Sequence, residues 1–311
     1  MKIGLDIFGG DQSPDLELKA AISFAESNAG VKVVLIGDEH HAKKQLEREG
    51  ISPSLFEFIH TTESISMHDH PVKAMIQKRN ASIPLGLLSL REGKIDAFAS
   101  LGNTGAMLVG SMQVVRSIPG VIRPCISSLI PQMDGSYSLL LDVGTNADCK
   151  SDVLYQFGIM GSVYAKEVLK KEDPRVALLN IGEEEEKGNL LSKAAHSLMK
   201  DNGIFNFIGN VEGRDLFSAS ADVIVCDGFT GNIVLKQAEA FYGIVKARNV
   251  QDEFFDRFNY ENYGGTPILG VNGAILIGHG KSSQLAIERM LKLALDVAQA
   301  NLAEKMTSAF N

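Results

Sequence analysis

The stretch whose residue types could do chemistry most directly is 222–236, DVIVCDGFTGNIVLK. Asp222-Val223-Ile224-Val225-Cys226 is a short β-branched run and predicts a buried strand. Asp227-Gly228-Phe229-Thr230-Gly231-Asn232 is turn chemistry, and residues 233–240 predict a helix. A strand running through a Gly/Thr/Asn turn into a helix offers backbone N–H groups and a helix dipole to an anion. An ordinary strand-to-helix turn uses the same residues, so the stretch alone does not decide. The same grammar recurs earlier: residues 96–100 read as a strand, Leu101-Gly102-Asn103-Thr104-Gly105-Ala106 as a turn, and an apolar helix begins near Met107. Two such turns suggest two walls of one polar cleft, because ligands of α/β sheets bind at the carboxyl ends of strands. Neither turn is G-x-G-x-x-G or carries the Gly-Lys-Ser/Thr of a P-loop, so phosphate rather than a nucleotide is the expected anion.

Hydrophobic periodicity supplies the elements that must hold these turns. Residues 2–7 predict a first strand ending in Asp6-Ile7-Phe8-Gly9-Gly10-Asp11. Pro14 sits where a helix can start, with Leu16, Ala20 and Phe24 at helical spacing behind it. Residues 31–36 predict a second strand, 39–49 a charged surface helix and 56–60 a short third strand. Strand and helix alternate, which argues for an α/β protein with a largely parallel sheet and helices on its faces. Residues 125–130 and 137–143, separated by Pro131 and Asp134-Gly135, read as a hairpin or offset pair of the kind that marks a second lobe. The second of these ends in Asp142-Val143-Gly144-Thr145-Asn146-Ala147-Asp148, another polar turn. Residues 153–169 read as an amphipathic helix, and 175–181, 205–211 and 274–277 as further strands. The last helix, 284–306, places Ile287, Leu291, Ala294, Val297, Ala298 and Leu302 on one side, a core periodicity.

At 311 residues, with 45% apolar and 22% charged residues, the chain has the composition of a soluble globular protein. A net charge of −8 argues against nucleic acid as partner, because phosphate neutralisation needs a basic surface. Cys125, Cys149 and Cys226 are far apart and have no metal or redox spacing, so they read as reduced structural thiols of a cytoplasmic protein. No signal peptide precedes the first strand, and no apolar run reaches the roughly 20 residues of a membrane helix. His68-Asp69-His70 is adjacent in a polar loop and converges poorly, so no metal site is expected. Glu183 to Glu186 read as a solvated turn or first helical turn rather than as paired acid/base carboxylates. Phe254, Phe255, Phe258 and Tyr260 read as a buried or subunit-interface patch.

In chain order, DIFGGDQSP (6–14), SLGNTGA (100–106), LLDVGTNAD (140–148), LLNIGEEEEKG (178–188), GNVEGRD (209–215), DVIVCDGFTGNIVLK (222–236) and YGGTPILGVNG…IGHGKSS (263–283) resemble the phosphate acyltransferase (PlsX) family of bacterial phospholipid synthesis. The resemblance spans almost the whole chain. It implies a single two-lobed, three-layer α/β/α domain over 1–311, similar in fold to phosphotransacetylases and the isopropylmalate dehydrogenase group, and a homodimer. The implied reaction converts a long-chain acyl-[acyl carrier protein] and inorganic phosphate to acyl phosphate and free carrier protein. It needs no cofactor and feeds a downstream glycerol-3-phosphate acyltransferase. Phosphate is its own nucleophile, so no Ser or Cys nucleophile is required. By motif position, Gly102, Asn103, Thr104, Thr230, Gly231 and Asn232 are assigned to the phosphate cradle. His279 is assigned to polarising the carbonyl or protonating the thiolate, with a structural histidine as the competing reading. Asp6, Asp11, Asn146 and Asp227 are assigned to orienting groups within the cleft.

Carrier proteins are acidic, so docking needs a local basic patch. Lys73, Lys78, Arg79 and Arg123 are the candidates, with Lys166 or Lys170 contributed from a partner subunit. The sequence departs from the family at Ile76, where an Arg is common, and at Ile7-Phe8, where Ala-Met is usual. The segment before Tyr263 is also short, and its Asp252, Glu253, Asp256 and Glu261 oppose anionic lipid, so membrane association is expected to be at most peripheral. Rival readings are a metal- and NAD-dependent hydroxyacid dehydrogenase, a coenzyme A-dependent phosphotransacetylase, and a carrier-binding module without turnover.

Overall fold

The computed structural model describes residues 1–311, and the chain divides into two compact units. The first comprises Met1–Ser117 and Glu261–Asn301, the second Ile118–Tyr260 and Leu302–Asn311.

In chain order the first unit begins β1 (Lys2–Asp6), α1 (Asp15–Ser27), β2 (Lys32–Gly37), α2 (Glu39–Arg48), β3 (Glu57–His60), α3 (Pro71–Gln77), α4 (Ser82–Arg91), β4 (Ala97–Ser100) and α5 (Thr104–Gly110). The second unit follows with β5 (Cys125–Pro131), β6 (Tyr137–Leu141), α6 (Ser151–Glu167), β7 (Arg175–Leu179), α7 (Leu190–Lys200), β8 (Asn206–Val211), β9 (Val223–Val225), α8 (Gly228–Ala247) and α9 (Glu253–Asp256). The chain then returns to the first unit for β10 (Thr266–Leu269), β11 (Ala274–Ile277) and α10 (Gln284–Gln299), and ends in the second with α11 (Leu302–Ala309).

The strands of the first unit pair in the order β3-β2-β1-β4-β11-β10, parallel except for β10 against β11. Ile3, Leu5, Val33 to Ile36, Phe98 and Leu276 are all buried, as expected of parallel strands covered on both faces. Helices α10 and α1 pack on each other, and α10 also lies against β11 and β4. The second unit pairs in the order β5-β6-β9-β7-β8, with only the β5–β6 hairpin antiparallel. Its core is built on Leu139 to Leu141, Val176 to Leu178, Val223 to Val225 and Phe157, all buried.

Several boundaries differ from the sequence-based expectation. Helix α8 begins at Gly228, not 233, because the Asp227 carboxylate caps it by accepting from the Thr230 amide at 2.8 Å. Helix α5 begins at Thr104, not 107, because the Asn103 side chain accepts from the Ala106 amide at 2.9 Å. The expected single helix over 284–306 is two, broken where Asn301 takes φ +49°, and the pieces belong to different units. Glu183 to Glu186 form an exposed turn, and α7 starts only after its cap, Asn189. Glu183 and Glu185 pair with Arg214 and Lys200 at 3.1 and 2.6 Å, so the run is a solvated turn.

The aromatic segment is in part an internal contact of the second unit. Phe258 meets Phe217 edge-on at 5.3 Å, while Arg257 stacks on Tyr137 at 4.3 Å and donates to the Gln132 carbonyl at 3.0 Å. No helix is long and apolar enough to cross a membrane.

Candidate active site

In the first unit, three turns leave the carboxyl ends of the neighbouring parallel strands β1, β4 and β11. Asp6 ends β1 fully buried. One of its oxygens accepts from the Phe8 amide at 2.9 Å, and the other from the Ser100 hydroxyl at 2.7 Å. Ser100 Oγ in turn accepts from the Gly102 amide at 3.0 Å, so this carboxylate shapes both turns. Gly9 is required here, since a Cβ on it would lie 2.5 Å from the Gly102 nitrogen. The third turn is pinned to the first by the Asp11 amide, which donates to the Gly280 carbonyl at 2.8 Å. His279 is exposed within that turn and accepts from the Lys281 amide at Nδ1, 3.2 Å, which places the neutral ring's proton on Nε2. Asp6, Asp11, Gly102, Asn103, Thr104 and His279 are thus brought to one end of one sheet.

Burial pushes the Asp6 carboxyl above its ordinary 3.8, against the hydrogen bonds from Phe8 and Ser100 that favour its ionised form. A carboxyl raised on folding contributes stability that is full below 3.8 and is lost as pH rises through its folded value. Asp6→Asn should therefore flatten the decline in stability with pH above that point. Urea titrations of both proteins from pH 4 to 8 check this; parallel curves would refute it.

Asn103 is not available in the way the motif reading assigned it. Its oxygen caps α5, and its Nδ2 donates to the carbonyls of Ser66 and Asp69 at 3.0 and 3.1 Å. It is a buried brace between the Ser66–Asp69 loop and α5. Asp69 accepts from Lys78 at 2.6 Å and from the Ser66 amide at 2.8 Å, so the His-Asp-His sequence serves a turn. The same ion pair commits Lys78. Lys73 and Arg79 remain exposed on and beside α3.

In the second unit, the turns after β6 and β9 lie side by side, because those strands are parallel neighbours. Asp142 is the hub, a residue the motif reading left without a role. One oxygen accepts from the amides of Ile126 and Thr145 at 3.3 and 3.2 Å, the other from the amide and Nδ2 of Asn146 at 2.6 and 2.9 Å. Burial raises its pKa, with the Asn146 and backbone hydrogen bonds opposing. Asn146 also donates to the Pro124 carbonyl at 2.9 Å and is buried, so its side chain is structural. Helix α8 rests directly on this turn: a Cβ on Gly231 would lie 2.0 Å from the Asp142 carbonyl oxygen. Asp227 holds both the amide and the hydroxyl of Thr230 at 2.8 Å. Of the residues assigned to a cradle, Thr104 and Asn232 are exposed and their side chains form no hydrogen bond within the chain. Asn232 lies beside Gly144, whose φ of +122° calls for glycine.

Arg123 is exposed ahead of β5. Lys166 and Lys170 lie at and beyond the C-terminal end of α6, the end away from the Asp142 turn, so within one chain they do not meet that site.

Burial raises the thiol pKa of Cys125 and Cys226 well above the ordinary range and that of Cys149 to about 11. At pH 7.5 Ellman's reagent should leave all three cysteines unmodified in the native protein and titrate all three in denaturant. A rapidly reacting native thiol would refute this.

Polar turns gathered at the carboxyl ends of parallel strands, in an α/β chain of two units, define a class of fold that solved structures share. The phosphotransacetylase from Streptococcus pyogenes aligns with a TM-score of 0.69 at 16% identity, covering 96% of this chain and 94% of that one. EutD phosphotransacetylase from Staphylococcus aureus aligns at 0.64 and 16%, covering 98% and 94%. The 4-hydroxythreonine-4-phosphate dehydrogenase from Klebsiella pneumoniae aligns at 0.59 and 14%, covering 96% and 98%. At these identities the likeness is one of fold.

Sequence similarity is more specific. Residues 1–305 match the family described as "Fatty acid synthesis protein". The phosphate acyltransferase of Dictyoglomus turgidum (strain DSM 6724 / Z-1310) is 40% identical, covering 100% of this chain and 98% of the relative. That of Salinibacter ruber (strain DSM 13855 / M31) is also 40% identical, covering 99% and 97%. The chain belongs to this family.

Proposed function

We propose that the protein is a phosphate acyltransferase that moves a long-chain acyl group from acyl carrier protein to inorganic phosphate. The observation that carries the reading is the pair of strand-end turn clusters, which expose Asn232, Thr104 and His279 on rigid braces while no activated nucleophilic side chain stands among them. Phosphate attacks the thioester carbonyl, the carbonyl oxygen takes up negative charge, and the carbon–sulfur bond breaks as that charge collapses back. The carrier's thiol leaves readily at a thiol pKa of about 8.5, so a strong general acid is unnecessary. The reading assigns Asn232 and the start of α8 to the phosphate, and the Nε2–H of His279 to the developing oxyanion. Buried Asp6, Asp142 and Asn146, with half-buried Asp227, act as braces of the turns.

Lys73, Arg79 and Arg123 are assigned to the acidic carrier protein; the net charge of −8 requires such docking to be local. The reading includes a homodimer, in which Lys166 and Lys170 serve a partner. Exposed Phe229, Ile233, Phe241 and Ile244 on α8 support peripheral contact with a bilayer, limited by the acidic residues that follow.

The test is to incubate the protein with palmitoyl-carrier protein and phosphate, without added metal, and trap acyl phosphate with hydroxylamine. Phosphate-dependent hydroxamate, with carrier thiol released in step, is expected. Turnover only with coenzyme A thioesters, reduction of NAD, or carrier binding without product would each overturn it.

A further inference from the structure

The second unit contains a cavity of about 260 Å³ beside the Asp227–Thr230 turn. It opens at the carboxyl ends of β7 and β9, lined there by Leu178, Leu179, Asn180, Cys226 and Asp227. These neighbouring strands are where the strand order of the unit reverses. The chain passes from β6 across β9 to β7, runs outward to β8, then turns back to β9. Such reversal points are where open α/β sheets leave a crevice for a ligand, because the flanking helices diverge there.

The wall chemistry selects the occupant. Leu154, Leu178, Leu179 and Leu191 give the cavity one continuous apolar wall, and Asn180, Asn189, Ser192, Asp227 and Thr230 line the rest. Its two polar residues at the candidate-site end, Asp227 and Thr230, are already bonded to each other. No Lys, Arg or His lines the cavity to hold a phosphate, whereas a neutral hydrocarbon meets on the leucine wall surface it can dehydrate. Ile181 at the lip and Leu190 beside Leu191 are 81% and 88% exposed, so apolar surface continues outward from the cavity. Asp227 and Thr230 belong to the turn that ends two residues before Asn232, so a chain seated here ends at the turn assigned to phosphate.

We propose that this cavity binds the unbranched alkyl chain of the acyl substrate and sets the preference for chain length. The inference rests on the acyl-transfer reading. Leu191 tests it, because it lines the cavity from the half-exposed face of α7 and carries no role in the candidate site. Each methylene buried in the cavity should raise kcat/KM about fourfold until the cavity is full.

Leu191→Trp, which fills the cavity, should lower kcat/KM for palmitoyl-carrier protein at least about tenfold while leaving the butyryl thioester unchanged. Leu191→Ala should shift the optimum toward longer or bulkier chains. Binding of cis-parinaric acid to the full chain, read by fluorescence, measures the cavity without turnover and should weaken about tenfold in Leu191→Trp. Unchanged chain-length profiles in both variants, or losses equal at every chain length, would overturn the proposal. Fatty-acid binding that Leu191→Trp removes, in a protein that makes no acyl phosphate, would keep the cavity and overturn the acyl-transfer reading instead.

Discussion

Asp142→Asn should destabilise the second unit by about 3 kcal/mol and lower its melting temperature by roughly 10 °C. Each oxygen of Asp142 receives two N–H donors, from Ile126 and Thr145 on one and from Asn146 twice on the other. Whichever oxygen becomes an amide nitrogen, two buried donors lose their acceptor and face a third. Leaving a buried donor unpaired costs about 1–3 kcal/mol. The opposing effect is relief of burying a carboxylate whose pKa is raised, which offsets part of that loss. Helix α8 rests on the same turn through Gly231, so activity should fall with the fold. Calorimetry and urea unfolding measure the effect. A variant as stable as the parent would show that the turn stands without its acceptor.

Asn232→Ala should do the reverse, leaving the melting temperature almost unmoved while turnover falls about 100-fold or more. The residue is exposed in the first turns of α8, its side chain forms no hydrogen bond within the chain, and alanine is the better helix former. A group that only positions phosphate contributes little before the nucleophile and carbonyl meet, so affinity for the carrier protein should be retained. Binding by calorimetry, set beside hydroxamate formation, separates the two. Equal losses of affinity and turnover would remove Asn232 from the phosphate, and a falling melting temperature would make its contact with Gly144 structural.

The two variants divide one motif reading into two kinds of residue. Asp6 and Asp142 are the same device used twice: a buried aspartate at the end of a strand accepts hydrogen bonds from the turns above it, from the Phe8 amide and Ser100 hydroxyl in one case and from backbone amides and Asn146 in the other. Both carboxyls are raised by burial, and both stay hydrogen-bonded because the turns supply donors. The groups that face outward, Thr104, Asn232 and His279, are held by these braces. Ranking residues by motif position mixes the two sets.

Much of the architecture is legible in the sequence, because alternation of buried runs with helical spacing is a local property. The strands 2–7, 31–36 and 274–277 and the hairpin at 125–143 were read within a residue or two of their observed ends. The polar turns were legible too, since Gly, Asn, Asp and Thr cluster where the backbone must turn. Three things were decided by tertiary structure alone. Helix starts moved to Thr104 and Gly228 because a cap is a side-chain contact, not a periodicity. The 284–306 pattern broke at Asn301, where one apolar stripe serves two cores. The roles of Asn103, Lys78, Asn146 and Asp142 depended on partners 3 to 37 residues away, and a motif names a residue without saying which atoms are already taken. Local chemistry is written in residue order, whereas the availability of a donor or a charge is settled only when distant segments meet.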